Sequence, residues 1–219
     1  MTVGERLGLS GSWERRITRG LQLVLVGLAA YGVRVGRIGT AVTAVVALSI
    51  TLLPALLRRE YGYSMAPGLV LWITVAMVLH TAGYLGLYAQ YQWYDEITHT
   101  VSATIIAGVG YASFRALELH SDAVEVPSEF RGVFIVVFVL AAGMVWEVFE
   151  FAFGGLVTVY GIDDIVTDMV ANTFGGVLVA LWGTEYVGGL VGFIGGRIRS
   201  GSDPRSEEHT SELQSPSAI

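Results

Sequence analysis

Cysteine and lysine are absent from this chain of 219 residues, and charged residues of every kind make up only 15% of it. Without cysteine there can be no disulfide framework and no thiolate metal site. Soluble domains carry about 25% charged residues, so the shortage of charge argues against a soluble protein. The 13 basic residues are all arginine, and 19 acidic residues outnumber them. This acidic balance, with its arginines scattered along the chain, argues against nucleic-acid binding.

Apolar sequence is what the chain has in excess: 53% of its residues are hydrophobic, and its mean hydropathy is +0.59. Runs of about 20 apolar residues are long enough to cross the hydrocarbon core of a bilayer as helices. The predicted fold class is therefore all-α, a polytopic membrane helix bundle with about six transmembrane helices. We predict these helices at residues 17–33, 38–57, 68–88, 93–115, 131–157 and 163–184. None of them is predicted to be broken at the bilayer midplane.

Polar flanks are predicted on either side of the bundle. Residues 1–16 form a cytoplasmic N-terminal segment, residues 17–198 the transmembrane bundle and residues 199–219 a tail. Within the tail, residues 205–219 (RSEEHTSELQSPSAI) resemble a common sequencing-adapter oligonucleotide when translated back through the genetic code. We therefore expect this stretch to be an artefact that takes no part in the fold.

Arginine placement predicts the orientation, because short cytoplasmic loops of membrane proteins carry an excess of basic residues. With a cytoplasmic N-terminus, only two arginines of the natural sequence, Arg34 and Arg37, lie on the outer side. The inner arginines are Arg6, Arg15, Arg16, Arg19, Arg58, Arg59, Arg115, Arg131, Arg197 and Arg199. Six helices then put both termini in the cytoplasm, and we expect a multi-pass protein of the cell (plasma) membrane.

Three predicted helices carry ionisable side chains in the outer half of the bilayer. An ionised carboxylate at the centre of a membrane helix costs ~2.5–3.5 kcal/mol on insertion scales, and less near the interface. Five acids facing lipid would cost on the order of 10 kcal/mol, so we expect them to face one another or a wet cavity. They are Asp95 beside His99 on the fourth helix, Glu147 and Glu150 on the fifth, and Asp164 and Asp168 in line with Asn172 on the sixth.

The chemistry of this set suits a divalent metal ion. One histidine with several carboxylates fits a hard or borderline ion such as Mg²⁺, Mn²⁺ or Zn²⁺. The predicted metal ligands are Asp95, His99, Asp164 and Asp168, and the predicted catalytic bases are Glu147 and Glu150. Two further residues have open roles. Asn172 either bridges helices by hydrogen bonding or belongs to the site. His80 is either a satisfied core histidine or a residue of the site.

The three motifs, D-x-x-x-H, E-x-x-E and D-x-x-x-D-x-x-x-N-x-x-G, extend in this order through about residues 68–184. In this they resemble VanZ-like and YjdF-like multi-pass membrane proteins. The resemblance places the family's polar positions on Asp95, His99, Glu147, Asp164, Asp168 and Asn172, and its closing glycine on Gly175.

The chain departs from the VanZ-like pattern at Glu96, where a basic residue is usual, and at Glu150, where glutamine is common. The VanZ-like branch is associated with glycopeptide-antibiotic resistance, and the YjdF-like branch has no known biochemical activity. The resemblance therefore implies a fold and a site rather than a reaction.

Three functions remain open at this point. The first is a metal-assisted enzyme acting on membrane lipids or a lipid-linked substrate at the outer leaflet. The second is a proton- or cation-coupled carrier with a relay of buried acids, although no inverted repeat is evident. The third is a non-catalytic accessory protein of the envelope or of antibiotic tolerance, in which the polar cluster joins helices. Buried ion networks stabilise poorly compared with apolar packing, which weighs against the third. The sequence leaves the oligomeric state open.

Overall fold

The computed structural model describes residues 11–119, 127–152, 161–183 and 191–196. Within these ranges the chain is helical apart from short connections, and they contain no strand. Six long helices follow one another: α1 Gly11–Arg34, α2 Ile38–Tyr61, α3 Pro67–Gln90, α4 Trp93–Leu119, α5 Ser128–Ala152 and α6 Ile162–Leu178. A π-helical turn, Val179–Gly183, continues α6, and residues 191–196 are also helical. The all-α prediction is confirmed.

Five of these helices, α2 to α6, are long and apolar enough to cross a membrane. α1 differs because charged residues occupy its first turns, at Glu14, Arg15, Arg16 and Arg19. Its uncharged stretch, residues 20–33, is about 21 Å long at the rise of an α-helix, which is short of the ~30 Å hydrocarbon core.

Nevertheless, α1 runs antiparallel to α2 along its length. Near the tight turn between them, Gly32 packs so closely on α2 that an added Cβ would lie 2.7 Å from the backbone nitrogen of Ala41. Further along, the Gln22 side chain donates a hydrogen bond of 3.2 Å to the carbonyl oxygen of Thr51. α1 therefore lies beside α2 from Gly32 to Gln22, a distance of about 15 Å along the helix, and the arginines of its first turns come before that stretch.

The helices extend beyond the apolar runs that predicted them. α2 continues to Tyr61 and then stops at Gly62, which adopts the left-handed conformation (φ 66°) and donates its N–H to the carbonyl of Arg58. Glycine is favoured at this position because it lacks the Cβ that would strain it. α1 already begins at Gly11, inside the segment predicted as a polar flank. The last residues predicted for the fifth helix, 153–157, the last predicted for the sixth, 184, and the whole tail, 199–219, lie outside the described residues.

The helices form two groups of three. α1, α2 and α3 pack mainly on one another, as do α4, α5 and α6, and the groups meet mainly where α3 contacts α4. The second group has a small apolar core of Ala103, Ala107, Ile135, Val139 and Val179. Large apolar side chains point outward instead, with Phe151 81% and Leu23 72% exposed. Lipid, rather than water, suits such a surface.

α3 is interrupted near its end, whereas the sequence indicated one continuous helix. Its α-helical part ends at Ala82, a π-helical turn covers Gly83–Leu87, and a short α-helical turn, Tyr88–Gln90, follows. Within the π turn, Gly86 has φ 119°, a conformation that side chains other than glycine rarely adopt. π turns inside helices are frequent at functional sites.

Candidate metal centre

Close contact between α4 and α6 aligns the site. Gly175 lies against the backbone of α4, where an added Cβ would be 2.6 Å from the carbonyl oxygen of Thr100 and 2.7 Å from the Cβ of Ala103. The hydroxyl of Thr100 donates a hydrogen bond of 3.3 Å to the carbonyl oxygen of Ala171. Small residues at such crossings let two membrane helices approach closely. The first turns of α4 therefore face the middle of α6.

Three of the predicted ligands meet at this contact. Nε2 of His99 lies 3.5 Å from Oδ1 of Asp95 and 3.6 Å from Oδ2 of Asp168. One ligand atom from each of the three side chains fits within 4.8 Å of the others. The Asp168 side chain is only 2% exposed, and that of His99 10%. We call these three residues the Asp–His–Asp group.

These spacings match what a small divalent ion requires. Ligand atoms at ~2.1 Å from a tetrahedral ion lie about 3.4 Å from one another, close to the two distances measured from His99. The donor types, one imidazole nitrogen and two carboxylate oxygens, suit Zn²⁺ or Mn²⁺. Two of the three spacings in the group thus match such an ion, and the third is within 4.8 Å.

Buried polar atoms around the group lack partners within the described part of the chain. They include Oδ1 of Asp168, Nδ2 of Asn172 and Oε1 of Glu147. Gly143 of α5 makes room for Asn172, since an added Cβ there would lie 2.6 Å from Nδ2. Asn172 is also close enough to His99 for a side-chain hydrogen bond. An unpaired buried polar group costs about 1–3 kcal/mol, which points to a missing ligand rather than to helix packing.

The remaining predicted acids lie around the group. Asp164, Glu147 and Glu150 are all close enough to Asp168 for their charges to act on it. Asp164, predicted as a metal ligand, is not one of the three residues that come together. The structure thus brings the acids of α4, α5 and α6 to one place. Their predicted roles as ligands and bases stay predictions.

A family model described as "Predicted membrane protein (DUF2238)" matches residues 17–189 of the chain. The match begins within α1 and extends past α6, so it contains the whole site. The chain belongs to this family. No curated protein and no solved structure matches this DUF2238 member at a significant level.

In this DUF2238 member, a chain of hydrogen bonds connects His80 to the Asp–His–Asp group. The hydroxyl of Tyr88 lies 2.9 Å from Nδ1 of His80 and 3.4 Å from Oγ1 of Thr98. Thr98 in turn lies 3.2 Å from Oδ1 of Asp95. His80 is thus a satisfied histidine, because its nitrogen is paired with a tyrosine that also reaches the site; its membership of the site stays a prediction.

Sequence reasoning missed Tyr88 and Thr98. A tyrosine near a membrane interface is typical of the aromatic belt, and only the interruption in α3 turns Tyr88 back toward His80. Gly83 permits this turn, because an added Cβ there would overlap the ring of Tyr88. Thr98 could have been found from its place one turn after Asp95, where a hydroxyl can reach the carboxyl group.

Proposed function

We propose that this DUF2238 member is a metal-assisted enzyme that acts on a lipid or lipid-linked substrate within the membrane. The observation that carries the proposal is the convergence of three ligand atoms of Asp95, His99 and Asp168 within 4.8 Å. Three protein ligands leave a coordination position open for water or substrate, which is typical of catalytic rather than structural metal sites.

The residues around the group supply what a hydrolytic or transfer reaction needs. A bound divalent ion would act as a Lewis acid or lower the pKa of water. Glu147 is buried, and its Oε1 has no partner among the described residues, so it is available as the general base. Glu150 and Asp95 line an adjacent cavity in which a substrate can lie. Asn172 is close enough to His99 to hold its imidazole by a hydrogen bond, as residues behind a metal ligand commonly do.

The membrane location supports a lipid substrate. The arginine distribution favours an outer-half position for the site, and in the outer half of a plasma membrane lipid headgroups and lipid-linked precursors are the available substrates. The VanZ-like and YjdF-like resemblance supports the same site, because the matching motif positions contain the Asp–His–Asp group. Both the branch of the family and the plasma-membrane location belong to this proposal.

Metal content of the purified protein tests the proposal. Mass spectrometry of the detergent-purified chain should find near-stoichiometric metal after divalent ions are added back, and His99→Ala and Asp168→Asn should lose it. Asp163→Asn is the matched control, because Asp163 is an exposed acid in the first turn of α6. An unmodified protein that binds no divalent ion under any of these conditions would refute the metal-assisted mechanism.

A proton- or cation-coupled carrier is the second candidate. The interruption of α3 beside a cavity favours it, because carriers bind their substrates at broken helices. The hydrogen-bond chain from His80 to Asp95 also offers a path for a proton. Counterflow of protons in proteoliposomes, lost in Tyr88→Phe and independent of added divalent ions, would favour the carrier over the enzyme.

A further inference from the structure

A cavity of about 140 Å³ lies at the interruption of α3. Its walls combine the aromatic rings of His80, Tyr84 and Tyr88 with the carboxyl groups of Asp95 and Glu150. An apolar protein cavity of ~150 Å³ accommodates benzene, so this one has room for a group of similar size. The cavity lies directly beside the Asp–His–Asp group, because Asp95 belongs to both.

The rings stand at steep angles to one another. The ring centroids of His80 and Tyr84 are 5.5 Å apart at 75°, and those of Tyr84 and Tyr88 are 5.5 Å apart at 83°. Trp146 of α5 supports His80 from outside the cavity, with its ring 5.4 Å away. The rings are thus in edge-to-face contact rather than stacked, and all three belong to residues that line the cavity. Aromatic rings around a cavity recognise organic ammonium groups, because the negative faces of the rings attract a cation.

Among the described residues, the carboxyl groups that line the cavity give it an acidic character. Two carboxyl groups enter it from different helices, and no arginine is among its lining residues in the described part of the chain. A phosphate would be repelled here. A bare or hydrated metal ion would make no favourable apolar contact with the three aromatic side chains. An ammonium group that carries carbon substituents can contact both the rings and the acids.

One arginine lies beside the same interruption but outside the cavity. Arg37, which is exposed, donates a hydrogen bond of 3.3 Å to the carbonyl oxygen of Leu85, between the lining residues Tyr84 and Gly86. A zwitterionic headgroup has an ammonium at one end and a phosphate next to it. The acidic cavity and the neighbouring arginine match these two charges in sign and order.

We propose that the cavity at the interruption of α3 binds the organic ammonium group of a zwitterionic phospholipid headgroup, with Arg37 facing its phosphate. The proposed ligand is also the substrate class of the proposed enzyme. The ligand's role as a substrate rests on that proposed function. Lipid binding and metal content are measured separately, so each proposal can fail without the other. A free organic amine could bind in the same cavity, so the experiment must distinguish a lipid headgroup from a free amine.

Calorimetric titration of the detergent-solubilised full chain tests the proposal. The probes are short-chain phosphatidylcholine, phosphatidylethanolamine and phosphatidylglycerol below their micellar concentrations, and free choline and ethanolamine. We expect both ammonium lipids to bind at least tenfold more tightly than phosphatidylglycerol. Tyr84→Leu should lower their affinity about tenfold, the usual scale of a desolvated cation–π contact. Tyr91→Leu is the matched control, because Tyr91 is an exposed tyrosine at the same end of the bundle.

Each result decides something. Preference for ammonium lipids that is lost in Tyr84→Leu supports the proposal. Free choline or ethanolamine binding as tightly as the lipids keeps the ammonium chemistry but overturns the lipid source. Equal affinity for phosphatidylglycerol, or no binding of any probe, overturns the proposal altogether. The comparison of headgroups needs no variant, so it stands even if Tyr84→Leu does not fold. Metal content measured on the same samples tests the proposed metal-assisted function separately from lipid binding.

Discussion

Gly175→Ala should damage the candidate metal centre without changing any of its polar side chains. An added Cβ would lie 2.6 Å from the carbonyl oxygen of Thr100, and ordinary contacts begin at 3.4 Å. α4 and α6 must therefore separate locally by about 0.8 Å. Overpacking of this kind costs about 1–3 kcal/mol, which lowers the unfolding temperature by roughly 2–12 °C in a chain of this size. Metal–ligand distances lie within about 0.2 Å of their reference values, so we also expect a separation of this size to weaken metal binding.

Thermal unfolding followed by tryptophan fluorescence, together with metal content, measures both effects. Gly27→Ala is the matched control, because Gly27 is also in a membrane helix but an added Cβ there meets nothing within 4 Å. Both variants gain the same helix propensity from alanine, so their difference isolates the contact between α4 and α6. If Gly175→Ala unfolds at the same temperature as Gly27→Ala and keeps its metal, the close contact does not position the site, and this reasoning is wrong.

Three further outcomes are expected. Gly83→Ala should abolish ammonium-lipid binding, since the new Cβ displaces the ring of Tyr88; unchanged titration curves would contradict this. Tyr88→Phe should lower stability by about 1–2 kcal/mol, because Nδ1 of His80 loses its partner, and denaturant unfolding beside Tyr91→Phe would measure the loss. Glu147→Gln combined with Glu150→Leu should raise the unfolding temperature by removing two crowded carboxyl groups, and in the proposed enzyme it should abolish turnover of the lipid; a stability decrease would show that the acids hold the bundle together.

Much of the bundle could be predicted from the sequence, because the bilayer leaves few alternatives. Apolar runs of sufficient length must be helices there, and consecutive helices must alternate in direction. That alternation alone placed Asp95, Glu147 and Asp168 at a similar depth. The helix ends were less accurate, since a helix continues into the interface until a residue such as Gly62 stops it.

The interruption of α3 could not be predicted in the same way. Glycine is common in membrane helices, and nothing local distinguishes Gly86, which takes up a left-handed conformation, from Gly27, which remains helical. The difference lies in tertiary contacts: Thr40 of α2, and Arg37 just before α2, donate to the carbonyl oxygens of Tyr84 and Leu85 within the interruption. The cavity depends on that irregular turn, so it was absent from the sequence prediction.

The division into two groups of three helices has a mechanical consequence. Side-chain hydrogen bonds cross between the groups at Trp72 with Thr104, Tyr94 with Leu79 and Tyr88 with Thr98. All three join α3 to α4, so a tilt of one half against the other would turn about this pair of helices. A tilt of a few degrees would change the width of the cavity while leaving the Asp–His–Asp group, which lies wholly within one half, undistorted. Access to the proposed binding cavity could thus vary without disturbing the candidate metal centre.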